Sequence, residues 1–90
     1  MPKYVIERDL PGAGQLSPDE LQAIAQKSNE VLDSLAGRAQ WLESFVTDDA
    51  ITCVYVSPNE ELIRQHASKG PFPVTRLFEI RSVIDPSTGR

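Results

Sequence analysis

A repeated helix start is the feature that most constrains what this chain can fold into. The pattern occurs as LSPDE at residues 16–20 and as VSPNE at residues 56–60. A serine cap, a proline in the first turn and a glutamate three residues after the serine form a capping box. Each copy follows a strand-like run, so we predict two βαβ halves related by pseudo-symmetry.

The first half begins with a strand and continues into a long helix. β-branched and aromatic residues predict a strand over residues 4–8, which a Pro/Gly loop ends. Apolar residues at helical spacing then predict a helix over residues 18–35, with Gly37 as its stop. In the second half, the capping box places Ser57 at the helix N-cap, and the helix ends near Gly70.

Three further strands are predicted. Residues 41–47 and 51–56 form a hairpin whose two loop residues are Asp48 and Asp49, and residues 76–84 form the last strand after a turn at Phe72-Pro73. The hairpin register pairs Thr47 with Ala50, Phe45 with Thr52, Glu43 with Val54, and Trp41 with Val56. The opposite face then carries Leu42, Ser44, Val46, Ile51, Cys53 and Tyr55.

The order strand, helix, strand, strand, helix, strand predicts an α+β chain with a ferredoxin-like βαββαβ sandwich. Ninety residues suit a single domain over residues 1–90. Right-handed crossovers place both helices on one face of the sheet. We expect the bare face to carry Val5, Ser44, Val46, Cys53 and Tyr55. Because that face is too apolar for water, we predict a homodimer joined through the open sheet face.

Composition excludes several partners. Thirteen acidic residues against nine basic ones give a net charge of −4, which opposes binding to nucleic acid. No apolar run reaches the roughly 20 residues that cross a bilayer, so no membrane is expected. The first residues lack the features of a signal peptide, which predicts a cytoplasmic location. With one cysteine, any metal would be bound mainly by oxygen and nitrogen.

Five short patterns resemble one bacterial family. They are YxxERxxPG at residues 4–12, WxxSFVT at 41–47, CVYxxPxE at 53–60, IRxHA at 63–67 and GxFP at 70–73. The chain resembles the family catalogued as domain of unknown function 4242, whose actinobacterial members are described as nickel-binding proteins. The resemblance implies a ferredoxin-like fold, a homodimer built as an α/β barrel, and nickel or another divalent metal ion as cofactor.

His66 and Glu7 are the candidate metal ligands. His66 is the single histidine, and imidazole suits nickel, although a histidine four residues after Leu62 on an apolar stripe is also typical of a hydrogen-bonded core residue. Glu7 interrupts an apolar strand and needs a partner, either Arg8, Arg81 or a metal.

A small polar pocket is also predicted. Strand alternation allows Glu7 to join three other side chains, Ser44, Cys53 and Tyr55. Cys53 is either a soft ligand or a small buried hydrophobe. Because His66 lies on a helix, the sequence leaves open whether it shares an ion with Glu7.

Two classes of function remain. The first is a non-catalytic homodimer that binds a divalent metal, nickel, by weak and water-rich coordination. The alternative is a small-substrate enzyme of the dimeric barrel type, a monooxygenase or isomerase using Glu7, Tyr55 and His66, or a ligand-sensing module. The sequence contains no nucleophile and base motif and no cofactor fingerprint, which favours the first.

Overall fold

The described residues form four β-strands and two α-helices in the predicted order. The computed structural model describes residues 1–35, 38–70 and 74–90, so Gly37 and the Phe72-Pro73 turn lie outside the described residues. The strands are β1 (Lys3–Asp9), β2 (Gln40–Val46), β3 (Ala50–Val56) and β4 (Arg76–Ile80). The helices are α1 (Pro18–Ser34) and α2 (Glu60–Lys69), with short 3-10 turns at Ala13–Gln15 and Pro86–Gly89.

The strands pair antiparallel in one sheet, in the order β2-β3-β1-β4. Residues opposite one another form rows across it, and neighbouring rows point to opposite faces. One row consists of Ser44, Cys53, Ile6 and Leu77, and a neighbouring row consists of Glu43, Val54, Val5 and Phe78. This mixed α+β arrangement is compatible with a ferredoxin-like fold. In the part of the chain that the structure describes, no helix has the length and hydropathy needed to cross a bilayer.

The helices cover the opposite face of the sheet from the one predicted. Ile51, Cys53 and Tyr55 are buried beneath the helices, and Tyr55 bonds to a side chain of α2. The prediction that Ser44, Val46, Cys53 and Tyr55 lie on the bare face with Val5 is therefore wrong. The bare face instead carries Val5 together with five other apolar side chains, Phe45, Val54, Val56, Phe78 and Ile80.

A β-bulge in β2 changes the predicted hairpin register at one end. The pairs Phe45 with Thr52 and Glu43 with Val54 are confirmed, and the Thr47 amide donates to the Ala50 carbonyl. Between Glu43 and Trp41 the register shifts, so that Trp41 lies opposite Tyr55 rather than Val56. The extra residue turns the indole from the bare face to the helix-covered face, where it is half-buried.

The two helix starts are capped differently. Ser17 and Glu20 form the predicted reciprocal capping box at the start of α1. At α2 the predicted second box is wrong, because the Asn59 side chain caps the helix by accepting from the Leu62 amide. The Ser57 hydroxyl instead donates to the Asn59 carbonyl and holds the turn before the helix.

The last strand is shorter than predicted. It ends at Ile80, and Val83 and Ile84 are exposed in the segment that follows. Their β-branched side chains favour a strand, but no neighbouring strand pairs with residues 81–84 in the described part of the chain. Asp85 then caps the 3-10 turn at Pro86–Gly89.

Candidate functional site

A cavity of about 190 Å³ lies between α1 and the helix-covered face of the sheet. It exists because the first half of α1 does not close on the sheet: the buried residues of this helix, Val31 and Leu32, are both near its C-terminal end. The apolar wall is formed by Leu21, Ile24, Ala25, Trp41, Val46 and Ile51. The remaining wall is formed by Arg8, Ser28, Ser44, Cys53, Tyr55 and Gly70.

Tyr55, which lines the cavity, forms a buried pair with His66. The Tyr55 hydroxyl and His66 Nε2 share a hydrogen bond of 2.9 Å, and the rings tilt against each other with centroids 4.7 Å apart. His66 is 1% exposed, and its Nδ1 is buried with no hydrogen-bond partner among the described residues. His66 is thus a hydrogen-bonded core residue, as one of the two sequence interpretations held.

Both rings are neutral near pH 7. Burial, followed by the positive charge of Arg8, lowers the pKa of His66 from 6.5 to about 4. Burial also raises the pKa of Tyr55 to about 12, with a further rise from Cys53 against lowering contributions from Ser28 and Arg8. Arg8 therefore supplies positive charge beside two uncharged rings.

Arg8 is a site residue that the sequence reasoning did not place here. Its side chain is 5% exposed, although arginine is rarely buried without compensating interactions. Its guanidinium lies beside Gly70: a Cβ placed on this glycine would be at ordinary van der Waals distance from the two terminal nitrogens, 3.4 Å and 3.6 Å away. The signal was available: Arg8 follows Tyr4 and Ile6 at the strand period of two, on the same face as both.

Ser44 and Trp41 are joined at the β2 edge of the cavity. The Trp41 indole Nε1 donates to the Ser44 Oγ at 2.9 Å, which fixes the orientation of the indole that the bulge turned inward. The hydroxyl proton of Ser44 remains available for a second partner. Ser44, Cys53 and Tyr55, three of the four side chains of the predicted polar pocket, all line this cavity.

Glu7 does not join that pocket, which corrects the prediction. It lies opposite Thr52 on the bare face, whereas Cys53 pairs with Ile6 on the covered one. Its carboxylate accepts from Arg76 Nε at 2.9 Å and lies 2.8 Å from Arg76 Nη2, so its partner is Arg76 rather than Arg8 or Arg81. Two guanidinium nitrogens of Arg76, on the neighbouring strand, thus compensate the charge of the Glu7 carboxylate, which explains an acidic residue in this apolar strand.

The two predicted metal ligands lie on opposite sides of the sheet. Across residues 1–35, 38–70 and 74–90, no group of three or more His, Cys, Asp and Glu side chains could hold a metal ion. His66 lies near the Arg8 cation, which opposes a second positive charge, and Glu7 is already paired with Arg76. Within one subunit, His66 and Glu7 therefore cannot be ligands of the same nickel ion.

Cys53 is a buried free thiol in the middle of β3. It is 5% exposed and belongs to the hydrophobic core cluster, together with Ile6, Ile51 and Tyr55. The interpretation of this residue as a small buried hydrophobe agrees with this position.

Comparisons with known proteins place the chain in context. A family model described as nickel responsive protein SCO4226-like matches residues 4–80. The crystal structure of SCO4226 from Streptomyces coelicolor A3(2) is similar, with a TM-score of 0.73 and 14% sequence identity, covering 91% of this chain and 99% of that one. At this identity the likeness shows a shared fold. A comparison with curated protein sequences finds no significant match.

Proposed function

Because this chain belongs to the SCO4226-like family of nickel-responsive proteins, we propose that it acts as a non-catalytic, nickel-binding homodimer. The match over residues 4–80 is the observation that carries this proposal. The resemblance to the domain of unknown function 4242 family is compatible with it and stays a prediction, as does a cytoplasmic location.

The bare sheet face supports the homodimer. Phe45 is 52% exposed on the edge strand β2, and Phe78 is 49% exposed on the opposite edge strand β4. The half-buried side chains of Val54 and Val5 lie on the two central strands between them. An apolar surface that spans a sheet is typical of a protein interface. Placing the same face of a second copy against it removes both surfaces from water and builds a dimeric α/β barrel.

Nickel binding in this proposal is weak and rich in water. Among the described residues of one subunit, no group of three or more His, Cys, Asp and Glu side chains could hold the ion, so water would occupy most of its coordination sphere. Glu7 and His66 remain the proposed ligands, but their separation across the sheet means that each would serve a different ion. Carboxylate and water ligands give modest affinity for this metal.

Calorimetric titration with nickel at neutral pH tests the proposal. We expect the wild-type protein to bind nickel, and we expect Glu7→Gln and His66→Gln each to weaken the binding. Glu79→Gln is the matched control, because Glu79 is also a strand carboxylate paired with an arginine, Arg81 at 3.1 Å. Absence of nickel binding to the wild type would overturn the proposed function. Unchanged binding in both variants would overturn the ligand assignment.

The geometry weakens the enzyme alternative. That alternative required Glu7, Tyr55 and His66 to converge, but Glu7 lies on the other face of the sheet. The remaining pair is poorly matched to acid and base catalysis near pH 7, because the pKa of His66 is lowered to about 4 and that of Tyr55 is raised to about 12. The ligand-sensing alternative is favoured by the cavity itself.

A further inference from the structure

We propose that the cavity between α1 and the sheet binds a small organic anion, a carboxylic acid with one apolar ring or short chain, with its carboxylate on Arg8. This proposal is independent of the nickel binding proposed above and needs no metal. Three features support such a ligand: the size of the cavity, its division into an apolar and a polar wall, and the buried guanidinium of Arg8.

The size fits one small molecule. The cavity measures about 190 Å³. An apolar cavity of about 150 Å³ in a protein core is large enough to bind benzene, and about 10 to 15 Å³ is enough for one water. The volume here therefore accommodates one ring together with a carboxylate.

The apolar wall provides the favourable contact area for such a ring. Leu21, Ile24 and Ala25 project from successive turns of α1, and Val46 and Ile51 face them from the sheet. The three helix residues are only half-buried, although they lie on the face that packs toward the core. A ring placed between helix and sheet would remove this apolar surface from water.

The polar wall favours an anion. A guanidinium has five N–H donors in a planar fork that matches a carboxylate, so Arg8 can bind one in addition to any partner within the protein. Ser28, Ser44 and Tyr55 line the same wall, and the hydroxyl proton of Ser44 is available to donate.

The cavity can be reached from solvent. Ile24, Ala25, Ser28 and Trp41 on its wall are half-buried rather than buried, and Val46 is 42% exposed. A ligand can therefore enter beside the first half of α1 without unfolding of the core.

Titration with benzoate, followed by the ¹H–¹⁵N amide spectrum, tests this site. We expect one benzoate per subunit, with shifts concentrated at cavity residues such as Ser28, Ser44 and Gly70. Benzyl alcohol has nearly the same shape without the charge. We expect it to bind at least about tenfold more weakly, as loss of a hydrogen bond to a charged group predicts. Equal affinity for the two compounds, shifts confined to the bare sheet face, or no binding of benzoate would overturn the proposal.

A pair of variants locates the site independently of Arg8. Ala25→Phe places a ring in the cavity and should abolish benzoate binding, whereas Ala23→Phe makes the same change on the exposed side of α1 and should leave it intact. Arg8→Met should weaken benzoate binding at least about tenfold and leave benzyl alcohol binding nearly unchanged. Benzoate binding to Ala25→Phe with wild-type affinity would place the site elsewhere. If Arg8→Met fails to fold, the comparison of the two compounds on the wild type still decides the role of the charge.

Discussion

Glu7 and Arg8 are neighbours in β1, but strand alternation places their side chains on opposite faces of the sheet and so gives them different environments. The sequence drew attention to Glu7 as a carboxylate in an apolar strand, but it forms an ordinary ion pair with Arg76 on the bare face. The neighbouring Arg8 is the buried charge, and it faces the cavity. The sequence pattern could not show which of the two residues faces the core, because both faces of β1 carry apolar residues. Tyr4 and Ile6 lie on one face, and Val5 lies on the other.

The neutral His66 predicts a loss of stability in acid. Its pKa is about 4 in the folded chain, against an ordinary value of 6.5, so between these values the unfolded chain binds a proton that the folded chain does not. Stability therefore falls as the pH falls from 6.5 toward 4, by roughly 3 kcal/mol from this group, since one pKa unit is worth about 1.4 kcal/mol. The groups that act on the imidazole of His66 are Arg8, whose charge opposes protonation, and Tyr55, which is hydrogen-bonded to Nε2.

Urea unfolding of the wild type and of His66→Gln between pH 4 and pH 7 measures this contribution. We expect the variant to lose markedly less stability than the wild type over this range, because glutamine does not titrate and can still bond to the Tyr55 hydroxyl. The same pH dependence in both proteins would contradict the assignment of the effect to His66.

At the scale of elements, local patterns predicted much and failed where tertiary contacts decide. The capping box of Ser17 and Glu20 and the pairing of Phe45 with Thr52 are confirmed, because both depend on residues close in sequence. The sequence did not predict the bulge that turns Trp41 inward. The contact that favours it, the hydrogen bond from the indole to Ser44, exists only once the indole lies on the covered face. The covered face was misassigned because β3 is apolar on both faces, with Ile51 on one and Val54 on the other.

The start of α2 depends on Asn59 rather than Ser57. Its side chain accepts from the Leu62 amide at 2.8 Å, which satisfies one of the free donors of the first turn. We expect Asn59→Ala to lower the free energy of unfolding by about 1 kcal/mol. Asn29→Ala, in the exposed face of α1, should change it by less than about 0.5 kcal/mol. Urea unfolding at one protein concentration makes the comparison, and equal effects of the two changes would contradict the capping role.

At the scale of the whole molecule, the two faces of the sheet have different roles. The helices cover one face and leave the cavity with Arg8 beneath α1. The other face exposes Phe45 and Phe78 and has no layer over it in the described part of the chain. A chain of 90 residues has a small core, so a second copy on this face would supply what one subunit lacks.

The matched test of this interface compares Phe78→Glu with Val83→Glu. Both residues are exposed and apolar, but Phe78 lies on the bare face, in the edge strand β4, and Val83 lies after the last strand. A charge at Phe78 would be buried without a partner in the dimer, so we expect this variant to be monomeric and folded. Val83→Glu should keep the oligomeric state of the wild type.

The mass of the wild-type protein in solution tests the central claim most directly. Size-exclusion chromatography with light scattering at micromolar concentration should give twice the chain mass of 10.0 kDa. A dimer that Phe78→Glu converts to a monomer is the result we predict. A wild-type protein with the mass of a single chain would contradict the homodimer and leave the bare face without the partner proposed for it.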